Sequence, residues 1–166
     1  MTELLLLPGL GFFLALAGAA FAAGLAGMGS SHGVGIAGQA SDAIVAEEPE
    51  KFVKCLVLQA LPGTQGIYGF LAAVLVLFKL QAFGANPITT LTVMTGFQIL
   101  VSCIPVGLVC YYSGVWQGRV AASAMAIVAR NEQDFTKGII FSAMVETYAI
   151  IGLITTILML TGIKVS

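Results

Sequence analysis

The chain has 166 residues, 58% of them hydrophobic and 9% charged, with a mean hydropathy of +1.00. Soluble domains are about a quarter charged, so this composition excludes one and places the chain in a membrane. A net charge of −1 offers no basic surface for nucleic acid, and one His with three irregularly spaced cysteines offers neither a zinc site nor a disulfide framework.

The N-terminal run to Gly24 is apolar, but Glu3 is its only charge and it lacks the positive start of a secretory signal. It also outlasts a signal core of about 7 to 15 residues, so it is expected to stay in the mature protein. A bilayer core of about 30 Å takes about 20 apolar residues of helix. Four runs separated by polar breaks satisfy this, predicting spans over about residues 10–46, 52–80, 87–129 and 135–163. The first and third exceed one bilayer thickness and are expected to project into water at one end. The fold class is therefore all-α, with helices joined by short water-facing turns because irregular backbone in lipid cannot satisfy its polar groups.

The first span carries glycines at 24, 27, 29, 33, 35 and 38. A nucleotide-binding glycine loop needs a preceding strand, which this run does not supply. Close helix packing is the better account, and Gly29 and Gly33 have the GxxxG spacing of membrane helix interfaces. His32 in this stretch is expected to hydrogen-bond between helices, and Asp42 to reach water at the helix end. In the second span, Leu61, Thr64, Gln65 and Tyr68 fall at i, i+3, i+4 and i+7, which is one helix face. Pro62 cannot donate to the Leu58 carbonyl, so oxygens near it become available. The third span adds Gln117, with Gly107, Gly114 and Gly118 matching the glycines of the first, so these two spans are expected to form a crowded inner layer inside the second and fourth. Arg119 is expected to snorkel, and Cys55, Cys103 and Cys110 to be buried free thiols. The fourth span holds Glu146 deep in an uncharged run, where an ionisable group is costly and by default functional.

The halves repeat at a constant offset of 83 residues, pairing Ala43 with Ala126, Phe52 with Phe135, Lys54 with Lys137, Thr64 with Thr147 and Gly69 with Gly152. Residues 1–83 and 84–166 each read as one helical hairpin. A hairpin has an even number of spans, so the two repeats are parallel, an arrangement suited to a ring. Lys51, Lys54, Arg130 and Lys137 gather at one end, which orients the 47–51 and 130–137 connections to the cytoplasm and both termini outside. The position matching Glu146 in the first hairpin is Gly63, leaving one carboxylate per two hairpins.

Glu146, Gln65, Gln117, Thr64 and a backbone carbonyl make a set of hard oxygen ligands with one negative charge. That set matches Na⁺ or a proton better than Ca²⁺, which takes six to eight oxygens and often several carboxylates. A freestanding oligomeric channel or carrier would also use such a group, whereas no nucleophile with a base suggests an enzyme.

The glycine-rich first span, LPGTQGIYGF at Leu61 to Phe70 and FSAMVETYAIIGL at Phe141 to Leu153 resemble the proteolipid (K or c) subunit of V-type rotary ATPases, and the resemblance covers essentially the whole chain. It implies a multi-pass plasma-membrane protein in a homo-oligomeric rotor ring of identical copies, bedded in lipid. ATP hydrolysis in a soluble head turns such a ring through central-stalk subunits at the cytoplasmic loops, past a stator membrane subunit with an essential arginine. The sodium-translocating bacterial branch is the most similar. There the resemblance implies Na⁺ held by the Leu61 carbonyl, Thr64, Gln65, Gln117 and Glu146, with Tyr68 steadying the carboxylate. Proton-carrying relatives keep the carboxylate, so H⁺ is the alternative coupling ion.

Overall fold

A computed structural model describes residues 9–165, so Glu3 lies outside them. Helix α1 (Leu10–Glu47) runs 38 residues, about 57 Å at 1.5 Å per residue, well beyond a bilayer core. It stops where Glu48 precedes Pro49, because the proline ring disfavours helical backbone in the residue before it. A 3₁₀ turn, Pro49–Lys51, leads into α2 (Phe52–Ala60), and a second, Leu61–Gly63, joins α2 to α3 (Thr64–Lys79). Pro62 accounts for that break, since it removes one rung of the ladder and the turn tightens around it.

The second connection includes Gln81 at a positive φ of 51°. Helix α4 (Val93–Arg130) then begins six residues after Pro87, later than the sequence suggests. Thr92 sets the start, with extended backbone and a hydroxyl that accepts the Thr95 N–H over 3.1 Å, satisfying a donor that has no partner within the helix. Helix α5 (Phe135–Gly162) follows a 3₁₀ turn at Glu132–Asp134. Among the described residues, four helical segments are long and apolar enough to cross a membrane, and the chain is a multi-pass membrane protein.

Helices α1 and α4 pack through glycine. A Cβ at Gly33 would strike the Gly114 carbonyl oxygen and Pro62, one at Gly118 the Gly33 backbone, and one at Gly29 the Tyr111 backbone. Only glycine permits this approach, and without a hydrophobic force between helices in lipid, close packing is what holds them. Helix α3 lies on α1, and α5 on α4. Inside α4, Pro105 has no N–H to donate to the Val101 carbonyl, and beside this missing rung the Val106 N–H donates to the fully buried Thr156 hydroxyl of α5 at 3.2 Å.

At the end carrying the first and third connections, the hairpins are tied together. The Lys51 ammonium is buried, donates to the Ala129 carbonyl at 2.9 Å and pairs with Glu48. It thereby caps the last turn of α4, where positive charge is favoured. Lys54 pairs with Glu132 across the hairpins at 2.5 Å. The three cysteines are free and buried. His32 is exposed and meets Tyr111 edge to face at 6.4 Å, a ring contact in place of the hydrogen bond expected of it. Arg119 lies over the Trp116 ring, 4.7 Å from its centroid.

Candidate functional site

The polar face of the second span turns toward α4 and α5. Gln65, in the first turn of α3, is completely buried, as is Gln117 on α4. A primary amide in such a place must find partners for its donors and its acceptor. Gln65 Nε2 donates to Gln117 Oε1 at 2.5 Å and to Ser113 Oγ at 3.1 Å. Gln117 Nε2 in turn donates to Glu146 Oε2 at 3.4 Å. The other carboxylate oxygen, Glu146 Oε1, accepts from the Tyr68 hydroxyl at 2.6 Å. The carboxylate of α5 is thus held from two sides, by a phenol of α3 and an amide of α4.

At the start of α3, the Thr64 hydroxyl donates to the Leu61 carbonyl at 3.0 Å and lies 3.4 Å from Gln65 Oε1. Three oxygens, one carbonyl, one hydroxyl and one amide, therefore sit together beside the Pro62 turn. All six predicted residues, Leu61, Thr64, Gln65, Tyr68, Gln117 and Glu146, lie within one chain, at the meeting of the second, third and fourth spans. Gln117 departs from expectation in detail, because its amide oxygen faces Gln65 and its nitrogen faces the carboxylate. Gly29 and Gly33 stand apart from this cluster and serve the α1–α4 contact, and Pro62 shapes the turn between α2 and α3.

Ser113 belongs to the same network, although nothing in its immediate sequence makes it conspicuous. It accepts from Gln65 and donates to the Val145 carbonyl at 3.0 Å, next to Glu146. The repeat holds the signal, because the residue 83 positions earlier is Ser30, whose hydroxyl donates to the Gly63 carbonyl at 3.2 Å. Serine at this point in both halves ties one helix of the hairpin to the backbone of the other, α1 to the second span and α4 to α5. Among the described residues, no buried side-chain nitrogen or oxygen lacks a partner, and no cluster of three His, Cys, Asp or Glu exists that could hold a transition metal.

A cluster with one carboxylate, two amides and several neutral oxygens, half-buried at the side of a helical bundle, can bind a single small cation and release it. The family model for the ATP synthase C subunit matches the chain twice, at residues 17–76 and 100–159, and the two matches are 83 residues apart. The V-type sodium ATPase subunit K of Enterococcus hirae is 40% identical over 159 residues, 96% of this chain and 97% of that protein. The A-type ATP synthase subunit K of Methanocaldococcus jannaschii is 38% identical over 90% of this chain and 63% of its own length. The 16 kDa proteolipid of the V-type proton ATPase of Nephrops norvegicus is 27% identical over 90% of this chain and 91% of that protein. A family match in both hairpins and alignment nearly end to end with such relatives show that the chain belongs to the ATP synthase C-subunit family, as a four-helix V-type ATPase proteolipid.

Proposed function

We propose that this chain is the ion-carrying subunit of a rotor ring in the membrane sector of a V-type ATPase, and that its cargo is Na⁺. The Tyr68 hydroxyl on Glu146 carries the reading, since it fixes a carboxylate in lipid beside the oxygens of Thr64, Gln65 and Leu61. One carboxylate balances one monovalent cation, and neutral oxygens replace its water. The E. hirae relative, named for sodium, supports Na⁺, while the N. norvegicus relative, named for protons, keeps H⁺ as the alternative.

In this mechanism Na⁺ sits between Glu146, Thr64 Oγ1, Gln65 Oε1 and the Leu61 carbonyl. Gln117 contributes its oxygen by a half-turn of its amide, which exchanges donor for acceptor at nearly constant shape. Tyr68 holds the carboxylate while the site faces lipid. When the ring brings the site to a stator arginine on another subunit, that cation competes for Glu146 and the Na⁺ leaves. Hydrolysis of ATP takes place in other subunits, which act on the ring through its cytoplasmic connections at 47–51 and 130–137.

The test is carbodiimide modification of Glu146 in membranes, since the reagent attacks protonated carboxyls. Protection by Na⁺ that weakens as pH falls is the expected result. Labelling that follows pH and ignores Na⁺ makes the ring a proton rotor. ATP-driven Na⁺ uptake that survives Glu146→Gln overturns the assignment.

A further inference from the structure

Hydrogen bonds around the site run in a fixed direction, and a backbone carbonyl sets it. Ser113, buried on α4, donates its one hydroxyl hydrogen to the Val145 carbonyl of α5 at 3.0 Å. A carbonyl oxygen only accepts, so the polarity of this bond depends on no other side chain. With its hydrogen committed, Ser113 Oγ has only lone pairs for the group that meets it from α3, and that group must be a donor. It is Gln65 Nε2, at 3.1 Å. The nitrogen of the Gln65 amide is therefore turned toward α4, which leaves its oxygen toward the Thr64 hydroxyl, 3.4 Å away.

A cation needs that oxygen and is repelled by that nitrogen. The two ends of a glutamine amide are nearly the same shape, so hydrogen-bond partners rather than packing decide which end faces the site. Two acceptors hold Gln65 Nε2, namely Gln117 Oε1 and Ser113 Oγ. The half-turn by which Gln117 offers its oxygen to Na⁺ withdraws the first of them. Ser113 is the acceptor that remains, and the α5 backbone keeps its hydroxyl pointing the same way through the exchange.

We propose that Ser113 is a positioning residue for Na⁺: it keeps the Gln65 oxygen turned into the site when Gln117 turns over, and so favours Na⁺ against H⁺ at Glu146. A proton goes onto the carboxylate itself and has no use for the Gln65 oxygen. Loss of the serine hydroxyl weakens the sodium-bound state and spares the empty and protonated ones, in which Gln117 still accepts from Gln65 and Tyr68 still meets the carboxylate. Val145 adjoins Glu146, so the same serine also ties the amide of α3 to the segment of α5 that carries the carboxylate. Ser30, 83 positions earlier, makes a comparable bond to the Gly63 carbonyl, and among the described residues no side-chain amide donates to it. The serine has this second duty only in the half that carries Glu146.

This inference rests on the sodium reading above and names what sets the preference for Na⁺ over H⁺. The test uses the full-length chain in its native membranes, with Ser113→Ala and Ser113→Cys. The thiol keeps the shape of the hydroxyl but accepts hydrogen bonds only weakly. Carbodiimide modification of Glu146 is followed against Na⁺ at fixed pH, and against pH without Na⁺. In Ser113→Ala the Na⁺ concentration that half-protects Glu146 is expected to rise about tenfold, roughly the loss of one buried hydrogen bond. The pH of half-maximal labelling without Na⁺ is expected to stay that of the parent. Unchanged Na⁺ protection overturns the positioning role. A joint shift of the Na⁺ and pH midpoints means that Ser113 only supports the helices, and overturns it as well. If Ser113→Ala does not accumulate in the membrane, Ser113→Cys decides by the same two readings, and failure of both variants to accumulate makes the serine structural and ends the proposal. Labelling of the unsubstituted chain that ignores Na⁺ overturns the sodium reading itself, and the positioning role with it.

Discussion

The Tyr68 hydroxyl reaches Glu146 Oε1 over 2.6 Å, joining α3 to α5 across 78 residues of sequence. A hydrogen bond to a charged group contributes about 1.5–3 kcal/mol, roughly a tenfold or greater change in affinity. Tyr68→Phe keeps the ring and removes only that bond. The Na⁺ concentration that half-protects Glu146 from carbodiimide is expected to rise at least tenfold, with ring assembly on native gels unchanged. Equal protection in the variant would mean that the phenol does not steady the carboxylate.

Gln65 links Gln117 and Ser113 at full burial. Truncation by Gln65→Ala strands the polar atoms it now satisfies, at about 1–3 kcal/mol for each buried group left unpaired. The expected result is a lower melting temperature of the detergent-solubilised protein even without Na⁺. Withdrawing Na⁺ from the unsubstituted protein should also lower its melting temperature, because a ligand of the folded state stabilises by mass action. In Gln65→Ala that Na⁺ dependence is expected to shrink or vanish. A variant that melts like the parent and still gains stability from Na⁺ excludes Gln65 from the site.

Gly33 has no room for a methyl group, with the Gly114 carbonyl and Pro62 in the way. Gly33→Ala forces the helix backbones apart and is expected to cost at least the roughly 1–3 kcal/mol typical of overpacking. It should reduce the yield of assembled protein in the membrane several-fold. Gly162→Ala serves as the control, since a Cβ there meets nothing within 4 Å. Immunoblots of membrane fractions compare the two, and equal yields would mean that α1 and α4 can separate freely.

The Lys54 ammonium hydrogen-bonds the Glu132 carboxyl and, with Lys51 adding to its charge, holds it below the usual carboxylate range. A carboxyl whose folded value is depressed contributes stability above its unfolded value, about 4.3 for glutamate, and loses it as pH falls through the lower folded value. Both groups are at the surface, so the effect is small and weakened by salt. Glu132→Gln is expected to flatten the acid limb of a melting-temperature profile below about pH 4.3 and leave the region above about pH 6 parallel to the parent. An unchanged acid limb would remove this pair as a tie between the hairpins.

Much of this arrangement is legible in the chain because lipid makes polar residues conspicuous. Glu146 stands alone in an apolar run, and the spacing of Leu61, Thr64, Gln65 and Tyr68 places them on one helix face without any structure. The 83-residue offset exposes the two hairpins by itself. Other features depend on tertiary neighbours that no spacing records. Ser113 and Thr156 are ordinary helical hydroxyls until the partners across the bundle are known, the Val145 carbonyl for one and the Val106 N–H for the other. Lys51 counts as a loop charge in the sequence, yet its ammonium is buried against the end of α4. The start of α4 at Val93 follows from the cap at Thr92, while Pro87 is the stronger punctuation on the page. The direction of the Gln117 amide is set by its neighbour Gln65, which only the folded chain brings within reach.

Gly63 stands where a second carboxylate would be, and in the rotor reading this sets the voltage at which the machine stalls. Each charge moved across a membrane costs about 2.3 kcal/mol per 100 mV. With one carboxylate for every four spans, the free energy of a full revolution is spread over half as many charges as in a ring with one per hairpin. The stalling potential is doubled, and half as many ions cross in each revolution.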